Sequence, residues 1–302
     1  MQNTKKPKGL AKIWREIKRP FRQILESIKF ATDTPFFWCK IGFNVKSNAQ
    51  QLPQLPRLEI HIVDHCNLNC RGCTHFCNIA PENFLNIEDF IRDLTESVKK
   101  INFGEIKLMG GEPLLHPDLH LFLCEARRIC PDKEIVLITN CILLDKMTDT
   151  FWNAVRDNNI SITLSKYPPL DAKFSHYADM FASKGVKIAR IVTADQFWLL
   201  RNPNGNSKPH ETYQKCLNAY CRHLRKGRLY ICPDACYMDY YNNYFNKNIP
   251  VDEGIDIYKH SSREIYKYLT TSKETCKYCT TKRTYVPWSR SEKREDEWNA
   301  VD

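Results

Sequence analysis

The chain has no run of about 18 apolar residues, so it offers no helix that could span a bilayer. Its first residues lack the continuous apolar core and small-residue cleavage site of a secretory leader. There is no internal repeat and no low-complexity tract. With 42% hydrophobic and 26% charged residues, collagen-like and wholly disordered readings fail. A basic body surface is also missing. The net charge is +10, but residues 1–30 hold nine Lys and Arg against Glu16 and Glu26, and the remainder is nearly balanced. Nucleic acid is therefore not an expected partner. The length of 302 residues allows one large domain or two smaller ones.

What is abundant is cysteine, with fourteen in the chain. Without a leader, the expected compartment is the reducing cytoplasm, where metal binding outranks disulfides. Residues 1–50 read as an extension. Leu10, Ile13, Trp14 and Ile17, then Phe21, Ile24, Leu25 and Ile28, fall at helical spacing among basic residues, and Pro20 divides the pattern. Such a helix either packs on the body or lies on an anionic membrane face as a peripheral contact. Residues 50–56 read as a linker.

From 55 to 201 the pattern alternates. Apolar runs at 58–63, 106–109, 135–139, 160–164 and 186–192 are separated by helical candidates at 87–101, 117–130, 146–158 and 170–183. That order predicts βα units and a parallel sheet with all strand C-termini on one edge, where ligands bind. Five strands, or six, make an open or partial barrel rather than a closed eight-stranded one. A turn-rich stretch at 202–209 marks a boundary. Residues 210–288 carry six cysteines and read as a smaller region ordered by bound metal. Residues 289–302 read as a polar tail, either a short surface helix or disordered.

Cys66, Cys70 and Cys73 form a C-x3-C-x2-C spacing directly after the first strand run. Three thiolates on one loop can hold three irons of a cubane cluster and leave the fourth open. A tetrahedral zinc site, with Cys77 or His75 as fourth ligand, fits the same spacing.

At these residues the sequence resembles the radical S-adenosylmethionine (SAM) superfamily, whose members carry this motif after the first strand of a partial (βα)6 barrel. The resemblance implies a [4Fe–4S] cluster on Cys66, Cys70 and Cys73 whose open iron chelates SAM. Reductive cleavage of SAM would then yield a 5′-deoxyadenosyl radical that abstracts a substrate hydrogen. An external donor such as flavodoxin or ferredoxin would supply the electron. Gly110, Gly111, Glu112 and Pro113 follow the second strand run and match the segment that contacts the SAM amino group. Two glycines let the backbone pass close to a ligand. Thr139, Asn140 and Ser165, at the ends of the third and fourth runs, are further candidate SAM contacts, or ordinary caps and turns. The family often has an aromatic residue just before the third cysteine. Here it is Gly72, with His75 or Phe76 as substitutes.

Cys216, Gly227 and Cys232 form C-x10-G-x4-C, and Cys276 and Cys279 form C-x2-C. These resemble the auxiliary-cluster domains called SPASM or twitch. The implied ligand set for a second [4Fe–4S] cluster is Cys216, Cys232, Cys276 and Cys279, with Cys221 as the alternative to Cys216 and Cys236 as a spare. A zinc ribbon on the same cysteines is the competing reading. Cys39, Cys124, Cys130 and Cys141 read as buried thiols, and the aromatic residues after Cys236 as a small core or a pocket wall. The runs 64–76 and 108–119 and the end through Trp298 resemble a subgroup that accompanies bacterial surface-polysaccharide biosynthesis. A sugar, sugar nucleotide or lipid-linked glycan is the substrate this implies. A peptide-modifying enzyme and a non-catalytic metal-binding protein are the alternatives.

Overall fold

The computed structural model describes residues 52–300. The basic extension 1–50, with its expected amphipathic helix and membrane contact, lies outside the described residues, as does Cys39. Among the described residues no helix is long and apolar enough to cross a membrane.

The apolar runs form β1 (Gln54–Val63), β2 (Asn102–Gly110), β3 (Glu134–Thr139), β4 (Ser161–Lys166) and β5 (Ile188–Thr193). All neighbouring pairs among them are parallel. Between them run α1 (Ile87–Lys100), α2 (Leu119–Ile129), α3 (Asp149–Asp157) and α4 (Phe174–Lys184). Leu58, Ile60 and Ile62 of β1 sit in the main core, and so do Phe90 and Leu94 of α1 and Phe122 and Leu123 of α2. Alternation then turns Glu59 and His61 to the opposite face, where they are buried as well. The fold is a mixed α/β architecture built on a largely parallel sheet, as a radical SAM barrel would be, with a cysteine-rich C-terminal region.

Local chemistry starts and stops these elements. Asn86 caps α1 by accepting from Glu88 and Asp89 N–H groups, and Lys99 and Lys100 meet the negative end of the helix. The supposed linker at 50–56 is already strand from Gln54, with Leu55 in the core. A one-residue change of period there is too short to read from composition.

The sixth parallel strand comes from an unexpected place. Residues 196–201 form β6 (Gln196–Arg201), which leaves the main sheet and pairs antiparallel with β10 (Cys279–Pro287). The cysteine-rich region instead supplies β7 (Arg222–Arg225), which joins the free edge of β1 in parallel. Then β8 (Arg228–Tyr230) returns as a hairpin, followed by β9 (Ile255–Asp256). The two-residue hairpin loop is Lys226-Gly227, both with positive φ (51° and 68°), as a type I′ turn requires. This gives the glycine of C-x10-G-x4-C its physical reason. Asp93 of α1 accepts from the Gly227 N–H at 2.7 Å and so pins the turn to the barrel.

The region is completed by α5 (Pro209–Lys215), α6 (Pro233–Phe245) and α7 (Ser262–Leu269). Tyr237, Tyr240 and Tyr241 of α6 build a second core with Phe76 and Trp298. Residues 289–298 are therefore not a loose tail. Trp298 and Glu297 are buried, and Ser291 N donates to Asn69 O at 2.9 Å while Arg71 N donates to Ser289 O at 3.0 Å. The strap is held by backbone pairing to the cysteine loop, which a polar composition does not reveal.

Candidate active site

The exits of β1 to β4 share one edge of the sheet. The loop after β1 carries Cys66, Cys70 and Cys73. N–H donors surround its sulfurs. Leu68 N and Asn140 Nδ2 point at Cys66 Sγ from 3.3 and 3.5 Å, and Trp288 Nε1 donates to Cys70 Sγ at 3.2 Å. Trp298 Nε1 donates to Cys73 O at 2.8 Å. Burial pushes the Cys66 thiol up and that of Cys70 to about 12. The neighbouring Cys77 thiol lowers Cys73 to about 7 by hydrogen bonding. The loop thus carries one thiol poised to ionise and two whose charge burial opposes unless a cationic core is bound, and it already provides N–H donors for anionic sulfur.

Gly110 and Gly111 cross the end of β1 at very short range. Gly111 N donates to Val63 O at 2.7 Å, and Glu112 N donates to His65 O. A Cβ on Gly110 would lie 2.0 Å from Val63 O, and one on Gly111 would lie 1.9 Å from His65 O. Gly111→Ala is therefore expected to push the cysteine loop out of place and to destabilise the protein by about 3 kcal/mol or more. Urea unfolding together with iron content after cluster assembly measures both effects.

Glu112 is fully buried. Its Oε1 accepts from Thr139 Oγ1 at 2.7 Å and Leu114 N at 3.0 Å, and its Oε2 accepts from Asn140 N at 2.7 Å. Burial raises it to about 7 against those three bonds. Asn140 in turn reaches Asn67 Oδ1 at 2.7 Å, so Glu112, Thr139, Asn140 and the cysteine loop form one connected unit. Pro113 opens the short turn Pro113–Leu115 behind it. Ser165 is half-buried near the end of β4, its backbone against the Cys141 thiol.

No aromatic residue precedes Cys73. Gly72 sits at φ 67°, where an added Cβ would meet Leu199 and the Glu297 carbonyl. Phe76 is buried on Tyr241 and Trp298, and His75 stacks on His61. The aromatic side chains beside the cysteines are instead Trp288 and Tyr167, whose ring centroids are 6.4 Å apart. Burial and the charges of Cys70, Cys73 and Cys66 hold the Tyr167 phenol far above its usual range. Sequence reading missed both residues. The only signal was a tryptophan in an otherwise polar stretch.

A second cysteine site lies under α6. Cys216, Cys232, Cys276 and Cys279 line one cavity with Tyr213, Ala219 and other side chains. Cys216 ends α5, Cys232 caps α6 by accepting from Ala235 N at 3.4 Å, and Cys279 begins β10. Cys221 is not on the cavity wall; it is half-buried beside Glu59. The buried Arg201 carries two guanidinium nitrogens, Nε and Nη2, with no hydrogen-bond partner, and its charge acts on Asp234 in the cavity wall. A buried cation and a helix N-terminus suit an anionic cluster. Single-ion zinc fits less well. Tetrahedral thiolates stand about 3.8 Å apart, yet among the described residues the one group of three or more Cys, His, Asp and Glu ligand atoms within 4.8 Å of each other contains no cysteine.

Of the thiols expected to be buried, Cys130 and Cys141 are, but Cys124 is exposed. It falls off the apolar stripe of α2, whose buried residues are Leu119, Phe122, Leu123 and Ala126.

These features define a class: a parallel α/β domain with a cysteine triad on the first strand exit and a double-glycine crossing on the second. Residues 60–192 match the radical SAM superfamily, and the chain carries a radical SAM domain. Among curated proteins, the GTP 3′,8-cyclase of Aliarcobacter butzleri (strain RM4018) is 32% identical over 114 residues, covering 36% of this chain and 35% of that protein. The GTP 3′,8-cyclase of Microcystis aeruginosa is 28% identical over the same length, with the same coverage of both chains. The chain thus spans about a third of the length of these relatives. Among solved structures, BtrN in complex with AdoMet and 2-DOIA aligns over 76% of this chain and 94% of that one, at 16% identity and a TM-score of 0.48. Streptococcus suis SuiB bound to S-adenosylmethionine covers 45% of this chain and 33% of that one, at 22% identity and a TM-score of 0.38. Neither likeness says what this chain acts on.

Proposed function

We propose that the chain is a radical SAM enzyme with two iron–sulfur centres, one on Cys66, Cys70 and Cys73 and one on Cys216, Cys232, Cys276 and Cys279. The observation that carries this reading is the convergence of the cysteine triad, the Gly110-Gly111 crossing and the Glu112–Asn140 unit on one sheet edge inside a radical SAM domain. When bound, the cluster and SAM would supply reductive SAM cleavage and a carbon radical that takes a hydrogen atom from substrate. The protein's own part is to hold the loop rigid. Glu112 ties β2 to β3, Asn140 ties β3 to Cys66 and Asn67, and the strap 289–298 closes over Cys70. Tyr167 and Trp288 give the site an aromatic wall that limits water. The electron arrives from an external flavodoxin- or ferredoxin-type donor, and the second cluster, with four cysteines, serves as a relay or a structural pin.

For the substrate we favour a sugar, sugar nucleotide or lipid-linked glycan of surface-polysaccharide biosynthesis in the cytoplasm. Resemblance of the runs 64–76 and 108–119 and of the closing strap supports it. The curated relatives are named for an action on GTP, a nucleotide, which is compatible with a sugar-nucleotide substrate. The test is anaerobic incubation of the assembled protein with dithionite, SAM and deuterated sugar nucleotides. Deuterium in 5′-deoxyadenosine is the expected result. SAM cleavage without label from any sugar nucleotide or lipid-linked glycan would overturn the substrate reading and leave the enzyme class standing.

A further inference from the structure

Beneath the cysteine loop, three histidines meet in the interior. His61 lies on β1, His223 on the adjoining β7 and His75 on the cysteine loop, and one ring nitrogen of each lies within 4.8 Å of the others. His61 Nε2 and His75 Nδ1 are 2.8 Å apart. His61 and His223 are buried and His75 is half-buried. Register explains the pairing: Glu59 stands opposite His223 across the β1–β7 ladder, and His61 follows on the same face. Tyr237 of α6 stacks on His61 with ring centroids 4.0 Å apart and closes the site from above.

Two observations make this more than a packed aromatic cluster. First, His223 is fully buried, yet its Nδ1 has no hydrogen-bond partner. Glu59 Oε2 stands 3.2 Å from its Nε2, and that contact helps to hold the Glu59 carboxyl below its usual range. Second, carboxylates stand behind the ring nitrogens. Asp64 Oδ1 lies 3.1 Å from His61 Nδ1, while Asn83 Nδ2, at 2.7 Å, and the Tyr240 hydroxyl donate to its Oδ2 and fix the carboxylate. That fixes Nδ1–H on the Asp64 side and leaves Nε2 facing the other histidines, the carboxylate–histidine arrangement of metal sites. Tetrahedral zinc needs ligand nitrogens about 3.3 Å apart, so side-chain movements of well under an ångström per ring would close the site.

We propose that His61, His75 and His223 form a divalent-metal site of zinc type, distinct from both cysteine sites, with Asp64 and Glu59 as its outer carboxylates. Neutral imidazoles suit zinc among the common ions. Three protein ligands leave a fourth position for a water. The two carboxylates offset the charge of the ion in an otherwise enclosed interior.

The experiment uses the full chain with its clusters assembled, equilibrated with zinc sulfate alone and then desalted. One tightly held zinc per chain is expected, with an X-ray absorption edge fitted by nitrogen and oxygen neighbours only, at about 2.0–2.1 Å. His223→Ala and His61→Gln should each lose that zinc while keeping the wild-type iron content. Absence of stoichiometric zinc, or zinc undiminished in both variants, would overturn the proposal. So would sulfur neighbours at about 2.3 Å, which would put the ion on the cysteines. If a variant fails to fold, the wild-type spectrum decides between nitrogen and sulfur. Iron content reads the cluster assignment and zinc reads this site, so the two fail separately.

Discussion

Cys70→Ala should reduce 5′-deoxyadenosine formation from SAM and dithionite to the level of a protein-free control, while the protein stays folded. The large effect follows from how many things meet at this sulfur. Cys70 is the middle cysteine of the triad and a proposed cluster ligand, its thiol accepts from the Trp288 indole, and its backbone pairs with Arg290 of the strap. Alanine keeps the backbone pairing and so spares the fold. What it removes is one of three ligands, and two cysteines cannot hold a cubane against loss of iron. Circular dichroism should be unchanged. Full SAM cleavage in the variant would mean that the triad is not the site of chemistry.

The second large effect is in iron content. The assembled wild-type protein should hold about eight irons per chain, and Cys276→Ala/Cys279→Ala about four. These positions are the right ones to change because neither thiol caps an element: Cys279 closes the turn before it only through its backbone N–H, which alanine keeps. Cys232, in contrast, caps α6, and its loss would confuse a missing ligand with a frayed helix. Cys276 lies in the turn Glu274–Tyr278 and Cys279 at the first position of β10. The four retained irons should belong to Cys66, Cys70 and Cys73. A wild-type protein that saturates at about four irons and holds zinc with sulfur neighbours at about 2.3 Å would instead make the second site a zinc ribbon.

Much of this arrangement was legible in the residues. The strand runs and four helices stood out because β1 to β4 and α1 to α4 bury apolar side chains, whereas β5 is exposed beyond Ile188 and was legible only as a β-branched run. The triad could be placed because it follows β1 at once. Cys216, Cys232, Cys276 and Cys279 were the expected set, and all four line one cavity while Cys221 does not.

What was not legible shares one physical trait: it is fixed by long-range polar pairing rather than by periodicity. β7 reads Arg-His-Leu-Arg and looks like loop, yet Arg222 and His223 are fully buried beside β1 and α7. The strap 289–298 is charged and gains its order from backbone bonds to residues 69–71. His61 and His75 stand 14 residues apart and His223 lies far beyond, so no spacing links them. Cys124 could have been read correctly, because its position on the exposed side of α2 follows from the 3.6-residue period.

The most direct test is the electron paramagnetic resonance spectrum of dithionite-reduced wild-type protein, recorded before and after addition of SAM. An iron with an open position on the Cys66 loop predicts a reduced-cluster signal whose line shape changes when SAM binds, and Cys66→Ala should lose that response while the second cluster's signal persists. A spectrum indifferent to SAM, from protein with a full iron complement, would contradict the account.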